Sequence, residues 1–356
     1  MKILAYFLPQ FYHTPENDLY WGKGLTEWEN VRSAKPLFTN HRIPLEPNRF
    51  GYYDLSDIEN IQKISKYSLK QGIDGFGYWH YWLGNGKQTL EKVPEMHLSD
   101  RSIKQNYFFA WANTSWTQSW KGDDETIIFN QKYSKKSAEA HYKYLRKFLQ
   151  DDRYTRLESK PIFQVINPND SGVKEHMVTL EELAIKEFGC GFHWLFSGAV
   201  IDAKFQGLCY SRVGYPPGDY ASKDFIFKIK KKLMEKNILK GPLLISDEKY
   251  LSVFKKTLHS QLQNDNFIPC LLSGWDNTPR YKRKGFLIDS KISSLLQKQF
   301  DILLEIFTPE KKIEFIFIKA WNEWAEGNIL EPYLVNGKVD NPSLLINEFK
   351  RKLSYQ

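Results

Sequence analysis

The chain has 356 residues, 42% of them hydrophobic, and carries a formal charge of +8 from 50 basic and 42 acidic side chains. That length and apolar fraction exclude a disordered chain or a small disulfide-stapled scaffold and allow one large domain with a sizeable core. Three scattered cysteines, Cys190, Cys209 and Cys270, have no metal-ligand spacing and fit a reducing compartment, and no apolar stretch reaches the ~20 residues that a membrane-spanning helix needs.

Residues 2–8 read as a first strand. They are as apolar as a short secretory leader, but Pro9 and Gln10 interrupt the run and no small-residue cleavage site follows, so the expectation is a cytoplasmic protein. A long polar insertion at 12–54 comes next. Its Tyr20, Trp21, Glu27 and Trp28 are expected in a loop folded over the active-site rim, with Glu27 as a reserve acid. A helix at 56–71 shows its period in Ile58, Ile61, Ile64 and Leu69, and Gly72 stands where a C-cap glycine belongs.

Further strands are expected at 73–79, 106–112, 161–166, 193–200, 209–213, 267–272 and 314–320. Most are short continuous apolar runs, as in strands covered on both faces. Helices are expected at 134–150, 179–188, 222–237, 250–264 and 290–307. A second long insertion occupies 113–133, and the periodicity blurs between 200 and 250, where 214–218 is a Gly- and Pro-rich loop.

About eight strand–helix repeats, with no linker or internal repeat, predict one α/β domain over residues 1–356. The architecture expected is a (β/α)8 TIM barrel whose long βα loops form the active-site rim. A doubly wound sheet is the alternative. It is disfavoured because no glycine-rich phosphate loop follows the first strand, and because polar and aromatic residues recur past strand C-terminal ends, which converge only in a barrel.

Those rim positions supply the candidate substrate-binding residues. They are Tyr6 and Gln10 at the first strand, Trp79, His80 and Tyr81 at the second, and Trp111 and Asn113 at the third. Trp275, Asp276 and Arg280 follow the seventh strand, and Trp321 and Asn322 the eighth. Sugars offer flat C–H faces to aromatic rings and hydroxyls to polar groups, so this mixture suits them. Plainer readings stand beside it: core packing for the rings, Trp116 and Trp120 included, a structural hydrogen bond for His80, and a turn with a structural ion pair for Asp276 and Arg280.

Charge clusters are less specific. Lys228, Lys230, Lys231 and Lys232, and Arg280, Lys282, Arg283 and Lys284, have no nucleic-acid motif beside them. They read as a solvated helix face or as contact with anionic lipid or polysaccharide. The acids Asp123, Asp124 and Glu125 read as solvated loop rather than a metal site.

The most specific passage is the apolar run 315–320 leading into Trp321, Asn322, Glu323, Trp324, Ala325, Glu326 and Gly327. Two carboxylates three residues apart at a barrel mouth suit glycosidic-bond chemistry. One protonates the leaving oxygen, and the other is nucleophile or base. Acids decorating a helix N-terminus are the alternative.

This passage, followed by Asn328, Leu330, Glu331 and Pro332, resembles the signature of the WbsX family of bacterial O-antigen and capsule clusters, commonly labelled glycosyltransferases and related to the family 99 glycoside hydrolases. Residues 3–11, 21–28, 51–55, 72–76, 111–113 and 275–280 match as well, and 169–267 only thinly. Asn167 and Tyr333 depart from the pattern. The resemblance implies a retaining reaction on a surface glycan, cleaving or transferring. Glu323 would deprotonate the sugar 2-hydroxyl and Glu326 would serve as acid and then base, with neither metal nor cofactor.

The partner expected is an oligosaccharide or polysaccharide, free or lipid-linked, handled at the inner face of the membrane, with no nucleic acid. A glycosyltransferase using an activated donor and a non-catalytic glycan-binding protein are the alternatives.

Overall fold

The computed structural model describes residues 1–118, 125–198, 202–236, 238–264, 266–307 and 313–354. Trp120, Asp123, Asp124, Val200 and Asn237 lie outside the described residues.

Eight parallel strands form the expected barrel. They are β1 (Lys2–Phe7), β2 (Gly75–Trp82), β3 (Asn106–Trp111), β4 (Lys160–Val165), β5 (His193–Ser197), β6 (Tyr210–Val213), β7 (Phe267–Ile268 and Cys270–Leu272) and β8 (Phe315–Lys319). Pro269 has no N–H to give to a ladder and divides β7. The first half of β7 pairs with β6 and the second with β8, so the ring closes through it.

Around the ring lie α1 (Ile58–Lys70), α2 (Lys92–Ser99), α3 (Lys135–Leu149), α4 (Val173–Phe188), α5 (Phe225–Glu235), α6 (Asp247–Gln261), α7 (Ile292–Ile306) and α8 (Leu344–Leu353). Only a single-turn helix, Asp202–Phe205, is described between β5 and β6. Among the described residues, no helix is long and apolar enough to cross a membrane.

Local chemistry explains the boundaries. Asp57 caps α1 by accepting from the Glu59 N–H at 3.0 Å. The helix ends in a Schellman motif: Gly72 N–H reaches Leu69 O and Ile73 N–H reaches Ser68 O, both at 3.0 Å. Gly72 has φ +93°, and a Cβ there would lie 2.5 Å from Asn347 Oδ1, so only glycine fits. α1 buries Ile61 and Ile64, while Leu69, expected on the same face, is exposed.

Three differences from the expected elements stand out. α4 starts at Val173, six residues before the predicted start, because the polar-looking His176 is buried and belongs to its inner face. A small parallel pair, Leu243–Ser246 with Phe286–Asp289, lies outside the barrel, and its single-sided burial gave a weak sequence signal. α2 and α8 were not anticipated either.

The alternation of side chains along the strands decides what reaches the active-site face. Tyr6, Phe108 and Phe317 pack against one another, with ring centroids 5.4 to 6.4 Å apart. Gly77 makes room for the Phe108 ring, since a Cβ there would come within 2.5 Å of it. On β2, Trp79 and Tyr81 alternate with Tyr78 and His80. The latter two point outward, to His97 of α2 and His141 of α3.

Candidate active site

The C-terminal ends of the strands open on a cleft of about 770 Å³, whose walls include Trp79, Tyr81, Tyr215, Arg280, Lys319, Glu323 and Glu326. Both candidate carboxylates therefore stand in one cavity.

Their loop is braced before it reaches the cleft. Asn322, fully buried, clamps β1 to it: its Oδ1 accepts from Leu8 N–H at 2.7 Å and its Nδ2 donates to Leu8 O at 3.0 Å. Asn322–Glu323 then pairs antiparallel with Asn328–Ile329 across the turn Trp324–Glu326. Gly327, at φ +57°, closes that turn where a Cβ would meet Asp276 at 3.1 Å. Beneath it, Glu331 accepts from the indole N–H groups of Trp321 and Trp324, each at 2.8 Å, and from Tyr53 Oη. Burial still pushes the Glu331 carboxyl up to about 8.

The two carboxylates sit in different fields. Trp79 donates its indole N–H to Glu323 Oε1 at 2.6 Å. Burial, reinforced by Glu326, pushes Glu323 up to about 8, with Lys319 and Arg280 acting against the rise. Burial also acts to raise Glu326, but Arg280 and Lys319 outweigh it and hold that carboxyl below its usual value. The two groups hydrogen-bond to each other. The surroundings thus favour the protonated form of Glu323 and the ionised form of Glu326.

Arg280 is the hinge of this arrangement. It is buried, and its Nε and Nη2 donate to Glu27 Oε1 at 2.9 and 2.8 Å while Nη1 donates to Glu326 Oε1. A planar guanidinium does this with donors fixed on three nitrogens, a fork that a lysine ammonium does not reproduce. Glu27, from the short helix Glu27–Arg32, is thereby committed to Arg280 rather than directed at a substrate. The sequence grouping of Arg280 with surface bases does not hold: Lys282, Arg283 and Lys284 are exposed, and Arg280 is not.

Lys319, the last residue of β8, was missed by the sequence reading. It points inward, its ammonium 4.4 Å from the Tyr215 ring centre and 5.4 Å from that of Trp275. Burial would lower it, but Tyr215, Glu323 and Glu326 keep it charged. Tyr215 and Gln164 were missed too. Gln164 accepts from Tyr6 Oη at 2.8 Å, and Tyr6 stacks on Trp79 at 4.9 Å. An inward parity count along β4 and β8 would have found Gln164 and Lys319.

Of the predicted binding residues, Trp79, Tyr81 and Arg280 line the cleft with the two acids, and Tyr6 supports them from below. The others lie elsewhere. His80 joins a buried chain in which its Nε2 meets His141 Nε2 at 2.8 Å and His141 Nδ1 meets His176 Nε2 at 3.0 Å. Trp111 is fully buried against that chain and donates to Trp82 O at 3.0 Å. Asn113 ties two loops together through Asn167 N and O. Trp321 and Asn322 are buried braces. Gln10 is fully buried, and its carbonyl accepts from Glu27 N–H at 3.3 Å. Asp276 accepts from His41 at 2.8 Å and, through its own N–H, holds Glu326 O at 2.6 Å. With Trp275, it walls a second pocket, behind the Trp324–Glu326 turn. Among the described residues, no three His, Cys, Asp or Glu side chains converge as a metal site requires.

The family model described as Glycosyltransferase WbsX matches residues 3–339. Two curated relatives, each called uncharacterized protein WxcX and from two strains of Xanthomonas campestris pv. campestris, are 26% and 25% identical over 337 and 338 residues. The matches cover 93% of this chain and 47% of each relative, so the chain spans about half their length. Among solved structures, the family 99 endo-α-mannosidase of Bacteroides thetaiotaomicron, in complex with bis-tris-propane, superposes with a TM-score of 0.56 at 15% identity, covering 99% of this chain and 98% of that one. A glycoside hydrolase-like protein superposes with a TM-score of 0.58 at 11% identity, over 98% and 93%. At these identities the likeness is one of fold.

Proposed function

Because this chain belongs to the WbsX glycosyltransferase family, we propose that it makes or breaks a glycosidic bond in a bacterial surface polysaccharide or its precursor, with Glu323 and Glu326 as the reacting carboxyls. The observation that carries the reading is the placement of the pair: both carboxyls wall one barrel-mouth cleft, in fields that differ because Arg280 pairs with Glu326 and Trp79 with Glu323. Two carboxyls poised in opposite states are what glycosidic chemistry needs.

The roles come from the resemblance to family 99. Glu323 takes the proton of the sugar 2-hydroxyl as that oxygen attacks the anomeric carbon. The bond to the leaving oxygen breaks, and Glu326 protonates that oxygen. Water or an acceptor hydroxyl then gives its proton to Glu326 and opens the anhydro ring, while Glu323 returns its proton to the 2-oxygen. The anomeric configuration is retained. This cycle starts with the proton on Glu326, whereas burial favours it on Glu323, so substrate binding has to reverse that order.

Trp79, Tyr81 and Tyr215 would supply ring faces and hydroxyls to the sugar. The test is mass spectrometry of products from α-mannosides and from the host's lipid-linked glycan, without and then with nucleotide sugars. Cleavage or transfer in the absence of any nucleotide is expected. Product formed only when a nucleotide sugar is added would contradict this mechanism and make the protein a donor-dependent transferase.

A further inference from the structure

Helix α5, Phe225–Glu235, has the sequence FIFKIKKKLME and is apolar on two opposite sides. Its inner side is accounted for: Phe227 and Met234, seven residues apart, are buried, and Phe227 packs on Phe286 with ring centroids 5.1 Å apart. At 100° per residue, Phe225, Ile226 and Ile229 fall on the other side of the helix, turned away from the barrel. They are 73%, 56% and 43% exposed. The chain just beyond adds Ile238, 66% exposed, and Leu239.

Lysines frame this outer stripe. Lys228 and Lys232 lie along one edge and Lys230 along the other, with Lys236 and Lys240 following. Glu235 is the only acid on the helix, and it lies 4.0 Å from Lys231. Core packing does not explain an outward apolar stripe, and solubility alone does not explain burying none of it. A large apolar set between cationic flanks matches one environment closely, the boundary between acyl chains and anionic headgroups.

The patch also has a place relative to the chemistry. Lys231 and Met234 share a groove of about 1270 Å³ with Asn277, Tyr281 and Lys284. That second wall is the segment that carries Arg280 to Glu326. Lys282, Arg283 and Lys284 extend the positive surface beside it.

We propose that α5 is a membrane-docking element. It seats Phe225, Ile226 and Ile229 in the interfacial layer of an anionic bilayer and presents the cleft to glycans carried at that surface. The docking stands apart from the reaction proposed for Glu323 and Glu326, because it needs no turnover.

The test is co-sedimentation of the full chain with large unilamellar vesicles, either pure phosphatidylcholine or phosphatidylcholine with phosphatidylglycerol. Three proteins are compared: the native chain, Phe225→Ser/Ile229→Ser, and Lys228→Glu/Lys232→Glu. All four positions are exposed, so the variants keep the fold, and circular dichroism verifies it. The native chain is expected to sediment with anionic vesicles and not with neutral ones, and added salt should release it. Each double variant is expected to bind at least tenfold more weakly. Equal binding by the native chain and the variants would overturn the proposal, as would no vesicle binding at all. A native dimer that the Ser variant dissolves, seen by analytical ultracentrifugation without vesicle binding, would assign the patch to a second copy and likewise overturn it.

Discussion

Trp79 and Glu323 lie 244 residues apart in the chain and meet through one 2.6 Å hydrogen bond from the indole N–H to Oε1. The bond favours the ionised form of a carboxyl that burial otherwise keeps protonated. Trp79→Phe keeps a ring in the cleft and removes only the donor. Hydrogen bonds to charged groups are worth about 1.5–3 kcal/mol, so kcat/KM should fall about ten- to a hundredfold with little loss of stability. Steady-state kinetics beside thermal melting separates the two effects.

Lys319 tunes the same pair. Its charge opposes the rise of Glu323 and helps hold Glu326 ionised. A pair that reacts with one proton loses activity when that proton leaves, so the basic limb of kcat/KM should lie near pH 8, the value for Glu323. Lys319→Met removes a cation that lowers both groups. Its basic limb should therefore move to higher pH, and its acid limb should rise as well. A profile unchanged by the substitution would exclude Lys319 from the electrostatics of the pair.

Arg280 joins Glu27 to Glu326 inside the protein. Breaking a buried ion pair by removing one partner costs about 3–5 kcal/mol, because the other charge is stranded. Arg280→Met should lose stability on that scale in denaturant titrations. Arg280→Lys keeps the charge but loses the three-nitrogen fork that joins the two acids, and it should fall in between. In Arg280→Met/Glu27→Gln one stranded carboxylate is gone, so part of the loss should be recovered.

The histidine chain belongs to stability rather than to the cleft. Burial lowers His80 to about 3 and His176 to about 4, and it depresses His141 further with help from its two neighbours. Groups depressed below the ordinary 6.5 contribute their full stability above that pH and lose it as pH falls through the folded-state values. Tm should therefore drop between about pH 6.5 and pH 3. His80→Phe leaves a nitrogen of His141 without its partner, a loss of about 1–3 kcal/mol, while kinetics of the folded enzyme should be unchanged.

How much of this was legible in the sequence differs from residue to residue. The barrel was, because continuous apolar strands and capped amphipathic helices repeat along the chain. The place of Glu323 and Glu326 at the barrel mouth was, because they follow an apolar strand. His80 and Trp111 were assigned to the rim with their neighbours, although alternation turns them to the helix side. Lys319 passed unnoticed because a lysine at a strand end looks like surface, and only barrel closure shows that it faces inward. Arg280 beside exposed bases looked like part of a patch, and nothing local announces a partner 253 residues away in Glu27. Glu331 was noted within a motif, but nothing local shows that its neighbours Trp321 and Trp324 turn their indoles onto it, or that a third donor, Tyr53, arrives from 278 residues away.

The most direct measurement is kcat/KM of Glu323→Gln and Glu326→Gln against the native protein, on one defined glycan and with folding checked by circular dichroism. Each amide keeps the size of the acid and removes its proton chemistry, so each variant should lose at least about a thousandfold in rate, within the range that acid–base groups supply. Native-like turnover by either correctly folded variant would contradict the central claim that Glu323 and Glu326 are the reacting pair.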